Sequence, residues 1–97
     1  MTVKIVVACG GGIFTTTVVT DKIKDILRKE RIKHQVTPAK ITEIRNIQYA
    51  DIIVVTGKTQ EENKHGIPVM IGMPLFTGVG EEEFTKVFLQ KVREVSR

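Results

Sequence analysis

At 97 residues, 41% hydrophobic and 27% charged, the chain suits one globular domain with its own core and excludes a disordered or membrane-embedded polypeptide. No apolar run approaches the ~20 residues that span a bilayer, and the apolar stretch near Met1 is too short for a signal peptide and reads as a strand. The net charge of +4 and pI of 9.4 raise nucleic acid as a partner, yet Lys22, Lys24, Arg28, Lys29, Arg31 and Lys33 alternate with Asp21, Asp25 and Glu30 as on a solvated helix face, with no interleaved aromatics for bases to stack on.

Val3 to Ala8 is apolar except for Lys4 and rich in β-branched residues, as in a strand buried on both faces. From Thr15 to about Glu30, Val18, Val19, Ile23, Ile26 and Leu27 form one stripe at helical spacing. Ile32 to Ala39 reads as a second strand, and Pro38, lacking a ladder donor, puts it at a sheet edge. Thr42 to Gln48 makes a short helix presenting Ile44 and Ile47, with Thr42 as N-cap. Asp51 to Thr56 is a second strongly buried strand that ends at Gly57. Lys58 to Gly66 is polar and reads as a loop or a short irregular helix.

Ile67 to Ile71 is a fourth strand, with Pro68 again arguing for an edge, and Gly72 to Gly80 (GMPLFTGVG) reads as a glycine-rich loop. In the last helix, Glu81, Glu82 and Glu83 complement the N-terminal end of the dipole and Lys91, Arg93 and Arg97 the other end. Its buried stripe is Phe84, Val87, Phe88, Val92 and Val95. The expected fold is a single α/β domain over residues 1–97: an open four-stranded parallel sheet, order 2-1-3-4, with helices on both faces, Rossmann-like and phosphatase-like. That order sets the topological switch between strands 1 and 3, where ligands of open α/β sheets bind outside the carboxyl ends of the strands.

Cys9 sits at that switch. It is the chain's one cysteine, so no internal disulfide forms, which suits a reducing, cytosolic compartment. Gly10, Gly11 and Gly12 follow, then Ile13, Phe14, Thr15, Thr16 and Thr17. Consecutive glycines let backbone N–H groups converge into an anion nest, and a helix N-terminus behind them adds positive potential. The threonines read either as N-caps or as phosphate contacts. A thiol among such donors is expected to have a depressed pKa and to act as a nucleophile; the alternative is a small buried apolar cysteine.

What is missing narrows the chemistry. No lysine lies between Lys4 and Lys22 to complete a Walker loop, there is no second cysteine for a redox pair, and Gly10-x-Gly12 is followed by Thr15 where a dinucleotide fingerprint needs glycine. Cys9, His34 and His65 have no zinc spacing. Cysteine phosphatases place an arginine six residues after the nucleophile, and that position is Thr15. A loop of backbone donors and hydroxyls without the arginine suits a phosphocysteine held for transfer.

Two blocks, KIVVACGGGIFTTT (Lys4 to Thr17) and IPVMIGMPLFTGVG (Ile67 to Gly80), resemble the IIB components of the bacterial phosphoenolpyruvate-dependent sugar phosphotransferase system (PTS), most closely the galactitol type. The resemblance implies a cytosolic phosphotransferase in which Cys9 accepts a phosphoryl group from a phosphohistidine on a IIA partner. The group then passes to a sugar or polyol arriving through a membrane IIC partner. Gly10 to Thr17 (Gly10, Gly11, Gly12, Ile13, Phe14, Thr15, Thr16 and Thr17) would then be the phosphate-binding loop, with no metal or cofactor. The sequence departs from that pattern in its bulky Phe14 and in Thr16, where serine is common. Phe14 reads as a partner contact or as the first core residue of the helix.

Met73, Leu75 and Phe76 form either a soft apolar docking patch or packing beneath the last helix. His65 reads as a solvated loop residue, Asp51 as a strand-start residue, and Lys58 as a solvated lysine near the site. Two readings from other classes remain: a small cysteine phosphatase or arsenate-reductase-like enzyme, and a non-catalytic anion-binding regulatory module.

Overall fold

A computed structural model describes residues 2–9, 13–56 and 63–95. The four strands are β1 (Val3–Cys9), β2 (His34–Lys40), β3 (Ile52–Val55) and β4 (Val69–Ile71). They form one parallel sheet in the order β2-β1-β3-β4, as the proline positions and the alternation of elements predict. Pro38 lies on edge strand β2, opposite Val7. Pro68 precedes edge strand β4 and supplies only its carbonyl, which accepts from Ile53 N at 2.9 Å. Neither proline therefore removes a donor that a central strand would need.

The alternation of side chains along β1 and β3 divides the core in two. Val3, Ile5, Val7, Ile52 and Val54 face α1 (Ile13–Lys29), α2 (Met73–Thr77) and α3 (Glu81–Val95), meeting Val19, Ile23, Leu27, Leu75, Phe84, Phe88 and Val92. Val6, Ala8, Ile53 and Val55 face the opposite way and are covered by Ile44, Ile47 and Ala50, carried on and just after a 3-10 helix over Ile41–Asn46. Both faces are thus covered, but among the described residues by unequal layers: three α-helices on one and a single 3-10 helix on the other. Among the described residues no helix is long and apolar enough to cross a membrane.

Several details differ from the sequence-based expectation, among them the starts of β2 and β4, each two residues later than expected. The segment expected as helix Thr42 to Gln48 is the 3-10 helix Ile41–Asn46; its N-cap residue is Lys40, with no side-chain cap bond, so Thr42 does not cap it. Three residues separate Ile44 from Ile47, one 3-10 turn, which puts both against the sheet without an α-helix.

The expected Gly72–Gly80 loop contains α2. Pro74 sits in the first turn of this helix, where its missing N–H costs nothing, and Gly78 ends it at φ 83° with its N–H donating to Pro74 O at 2.9 Å. Within α3, Val87 is 43% exposed and lies off the buried stripe of Phe84, Phe88 and Val92. Finally, α1 begins at Ile13, two residues before the expected Thr15, and ends in a Schellman turn whose left-handed residue is Arg31 (φ 57°), with Ile32 N donating to Leu27 O and Arg31 N to Arg28 O.

Candidate functional site at the carboxyl edge of the sheet

Parallel strands end on the same side, so the chain ends of β1, β2, β3 and β4 gather at one edge. β1 ends at Cys9, whose register partner on β2 is Lys40, the last residue of that strand. On the other side β3 runs into Thr56, which is buried and donates from its N to Ala8 O at 3.0 Å and from its hydroxyl to the same oxygen at 3.4 Å. That pair of bonds ties the end of β3 to the residue before Cys9. β4 gives way to Gly72, whose N donates to Val55 O at 2.7 Å and starts α2 at the same edge.

Gly72 is required by proximity. A Cβ there would lie 2.5 Å from Val54 Cγ1, 3.3 Å from Val19 Cγ1 and 3.4 Å from Val55 O. The second glycine-rich block therefore lets α2 enter against both α1 and the sheet, holding the edge together beside the first block.

The backbone of Cys9 closes β1, and Ile13, Phe14, Thr15, Thr16 and Thr17 are the first five residues of α1. Gly10, Gly11 and Gly12, expected to form the anion nest of the phosphate-binding loop, lie outside the described residues, as do the side chains of Cys9, Ile13, Phe14, Thr15 and Thr16. Because α1 starts at Ile13, the threonines fall within its first two turns and none is its N-cap. An α-helix leaves its first four N–H groups without intrahelical partners, and on the described residues of α1 these belong to Ile13, Phe14 and Thr15. Only three residues separate Ile13 from Cys9, so the end of β1 lies close in sequence to a helix start whose N–H groups suit an anion.

The other candidates separate. Leu75 is 1% exposed and belongs to the core, whereas Phe76 is 39% exposed and Met73 half-buried, so the expected patch divides between packing and surface. Val79, just beyond α2, is 79% exposed and was not singled out by its sequence context. Asp51 lies at the opposite, amino edge. Its carboxylate accepts from Lys4 N at 2.8 Å and its N donates to Lys4 O at 2.7 Å, a strand-start role that fastens β3 to β1.

His65 is exposed, in a turn organised by Asn63. The Asn63 Oδ1 accepts from His65 N and Ile67 N, and its Nδ2 donates to Ile44 O and Ile47 O at 2.8 Å each. Lys58 lies outside the described residues. Sequence reasoning passed over Lys40 and Thr56: Lys40 lies one residue beyond the strand expected over Ile32 to Ala39, Thr56 ends the strand expected from Asp51, and only the strand pairing shows that they flank the end of β1.

The family model for the PTS system lactose/cellobiose specific IIB subunit matches residues 4–86. The galactitol-specific EIIB component of the PTS system of Escherichia coli O157:H7 is 30% identical over 79 residues, covering 81% of this chain and 84% of that protein. Its counterpart in Shigella flexneri matches to the same extent. The solved lactose-specific IIB component domain from Streptococcus pneumoniae superposes over the full length of both chains with a TM-score of 0.61 at 16% identity, a likeness of fold alone.

Proposed function

The chain belongs to the PTS IIB family, whose members are sugar phosphotransferases, and within that activity we propose that Cys9 is the phosphoryl carrier. The observation that supports this most is the placement of its backbone: the last residue of the interior strand β1, four residues before the start of a 17-residue helix whose first N–H groups have no intrahelical partner. A cysteine in a packed core would not need to stand there.

The reaction follows from that placement. The Cys9 thiolate attacks the phosphorus of a phosphohistidine on a IIA partner in line with the N–P bond. The S–P bond forms, the N–P bond breaks, and the electron pair stays on the imidazole nitrogen, which leaves as neutral imidazole when its other nitrogen carries a proton. In the second half a hydroxyl of the sugar or polyol attacks the same phosphorus. The S–P bond breaks, thiolate is regenerated, and the hydroxyl proton passes to a base on the membrane IIC partner or to water. On this reading the charge on the equatorial oxygens is met by the backbone N–H groups of Gly10 to Thr15 and by the hydroxyls of Thr15, Thr16 and Thr17, so positioning and backbone dipoles carry the stabilisation without metal or cofactor.

No arginine occurs before Arg28, so nothing in this loop clamps the phosphoryl group for attack by water. The acceptor is a polyol of the galactitol type, by the names of the relatives at 30% identity, and the domain works in the cytoplasm, where it meets IIA and IIC in turn.

A chase experiment tests the reading. Protein phosphorylated through IIA and freed of donor should pass its phosphoryl group to galactitol when vesicles carrying the membrane subunit are added. Release of inorganic phosphate at the same rate with and without those vesicles would refute transfer and favour a phosphatase.

A further inference from the structure

The geometry points to Lys40 as the cationic side chain that binds the phosphoryl group while Cys9 carries it. This rests on the phosphocysteine reading above and adds to it a residue outside the glycine loop. Lys40 ends β2 as the register partner of Cys9, and adjacent strands lie about 4.8 Å apart, well within the reach of a lysine side chain. Its side chain is exposed, and it forms no ion pair with any described residue, so its charge is not already committed within the described fold.

The position is also chemically apt. Backbone N–H groups and hydroxyls donate hydrogen bonds but carry no net charge, whereas a transferring phosphoryl group brings about two negative charges against a thiolate. Arginine would bind such a group in a rigid fork. A lysine offers a mobile point charge that can follow the phosphorus as it moves between donor, sulfur and acceptor.

Among the described residues, the other charges at this edge do not supply that cation. β3 runs into Thr56, β4 runs into Gly72, α2 has no ionisable side chain, and α1 has none before Asp21. Glu43 and Arg45 follow Lys40 on the 3-10 helix, both exposed and opposite in sign. Glu81 at the start of α3 is paired with Lys22 at 3.0 Å.

The test uses the full chain with Lys40→Gln, Lys40→Arg, Cys9→Ser and, as a control of equal charge change, Lys33→Gln. Lys33 is exposed and precedes the amino end of β2, roughly 20 Å away along a seven-residue strand. Two quantities are read: the rate of phosphoryl labelling from saturating phospho-IIA, and the pH profile of thiol alkylation by iodoacetamide. Lys40→Gln is expected to slow labelling by about tenfold or more, the loss of one charge-assisted contact, and to move the alkylation midpoint upward by roughly half a unit to one unit. Lys40→Arg should retain most of the rate, and Lys33→Gln should match wild type in both readouts.

Wild-type labelling and an unmoved alkylation profile in Lys40→Gln overturn the assignment, as does equal slowing by Lys33→Gln, which would mark a general charge effect. Persistent labelling of Cys9→Ser overturns the phosphocysteine reading itself, and with it the role given to Lys40. Because Lys40 is exposed, unchanged thermal unfolding of its variants separates a lost contact from a lost fold.

Discussion

Gly72→Ala probes the junction that holds α2 at the carboxyl edge. Its φ of −91° suits any residue, so the cost is steric alone. The new Cβ would stand 2.5 Å from Val54 Cγ1 and 3.3 Å from Val19 Cγ1, and both valines are fully buried and cannot swing into solvent. Relief requires α2 to move outward, which stretches the 2.7 Å bond from Gly72 N to Val55 O.

Overpacking of this kind costs about 1–3 kcal/mol, offset by roughly 0.4–1 kcal/mol from the lower entropy of the unfolded chain. The expected net destabilisation is therefore about 1–2 kcal/mol, and in a domain of this size each kcal/mol lowers Tm by about 4–8 °C. Urea unfolding of Gly72→Ala, Val54→Ala and the double variant measures it. Val54→Ala removes the obstructing methyl, so the double variant should be more stable than the sum of the two losses by at least about 1 kcal/mol. An unchanged or raised midpoint for Gly72→Ala, or strict additivity, would refute the close-approach argument.

Arg31 adopts φ 57° in the turn that ends α1, so Arg31→Gly should stabilise the protein by up to about 1 kcal/mol in the same urea assay, and a loss would mean the side chain contributes more than the conformation costs. Asn63→Ala removes the bonds that join the turn before β4 to the 3-10 helix and should destabilise by about 1–3 kcal/mol, with amide exchange quickening first at His65 and Ile67. Phe88→Ala, at a site fully buried and stacked on Phe84 at 5.9 Å, should cost about 3–5 kcal/mol by thermal unfolding. Val79→Glu should leave urea unfolding within about 0.5 kcal/mol of wild type, because the side chain is 79% exposed, and a larger loss would mean that Val79 is packed.

The strands were legible because parallel sheets bury both faces: VKIVVA and DIIVV admit little else, and Pro38 and Pro68 marked the edges that set the order. What escaped was decided by contacts distant in sequence. GMPLFTGVG carries a proline in the first turn and a glycine at the end of a helix, but five residues show no amphipathic period, so α2 was hidden inside an apparent loop. Val87 keeps helical spacing with Phe84 yet falls off the stripe, because the hydrophobic face of α3 is narrower than its apolar content.

At the candidate site, the CGGG motif and the switch between β1 and β3 pointed to the strand end that carries Cys9. Lys40 and Thr56 could not be seen there, since their nearness to Cys9 is a matter of register, which no local pattern in the sequence records.

The central claim is that the phosphoryl group rides on Cys9. Wild-type protein and Cys9→Ser, each incubated with phosphoenolpyruvate, the general phosphotransfer proteins and the cognate IIA, can be compared by intact mass and by mapping the labelled peptide. The account predicts one phosphoryl group on the wild type, on the peptide containing Cys9, and none on Cys9→Ser. A fully labelled Cys9→Ser protein, or a label mapping to His34 or His65, would contradict it.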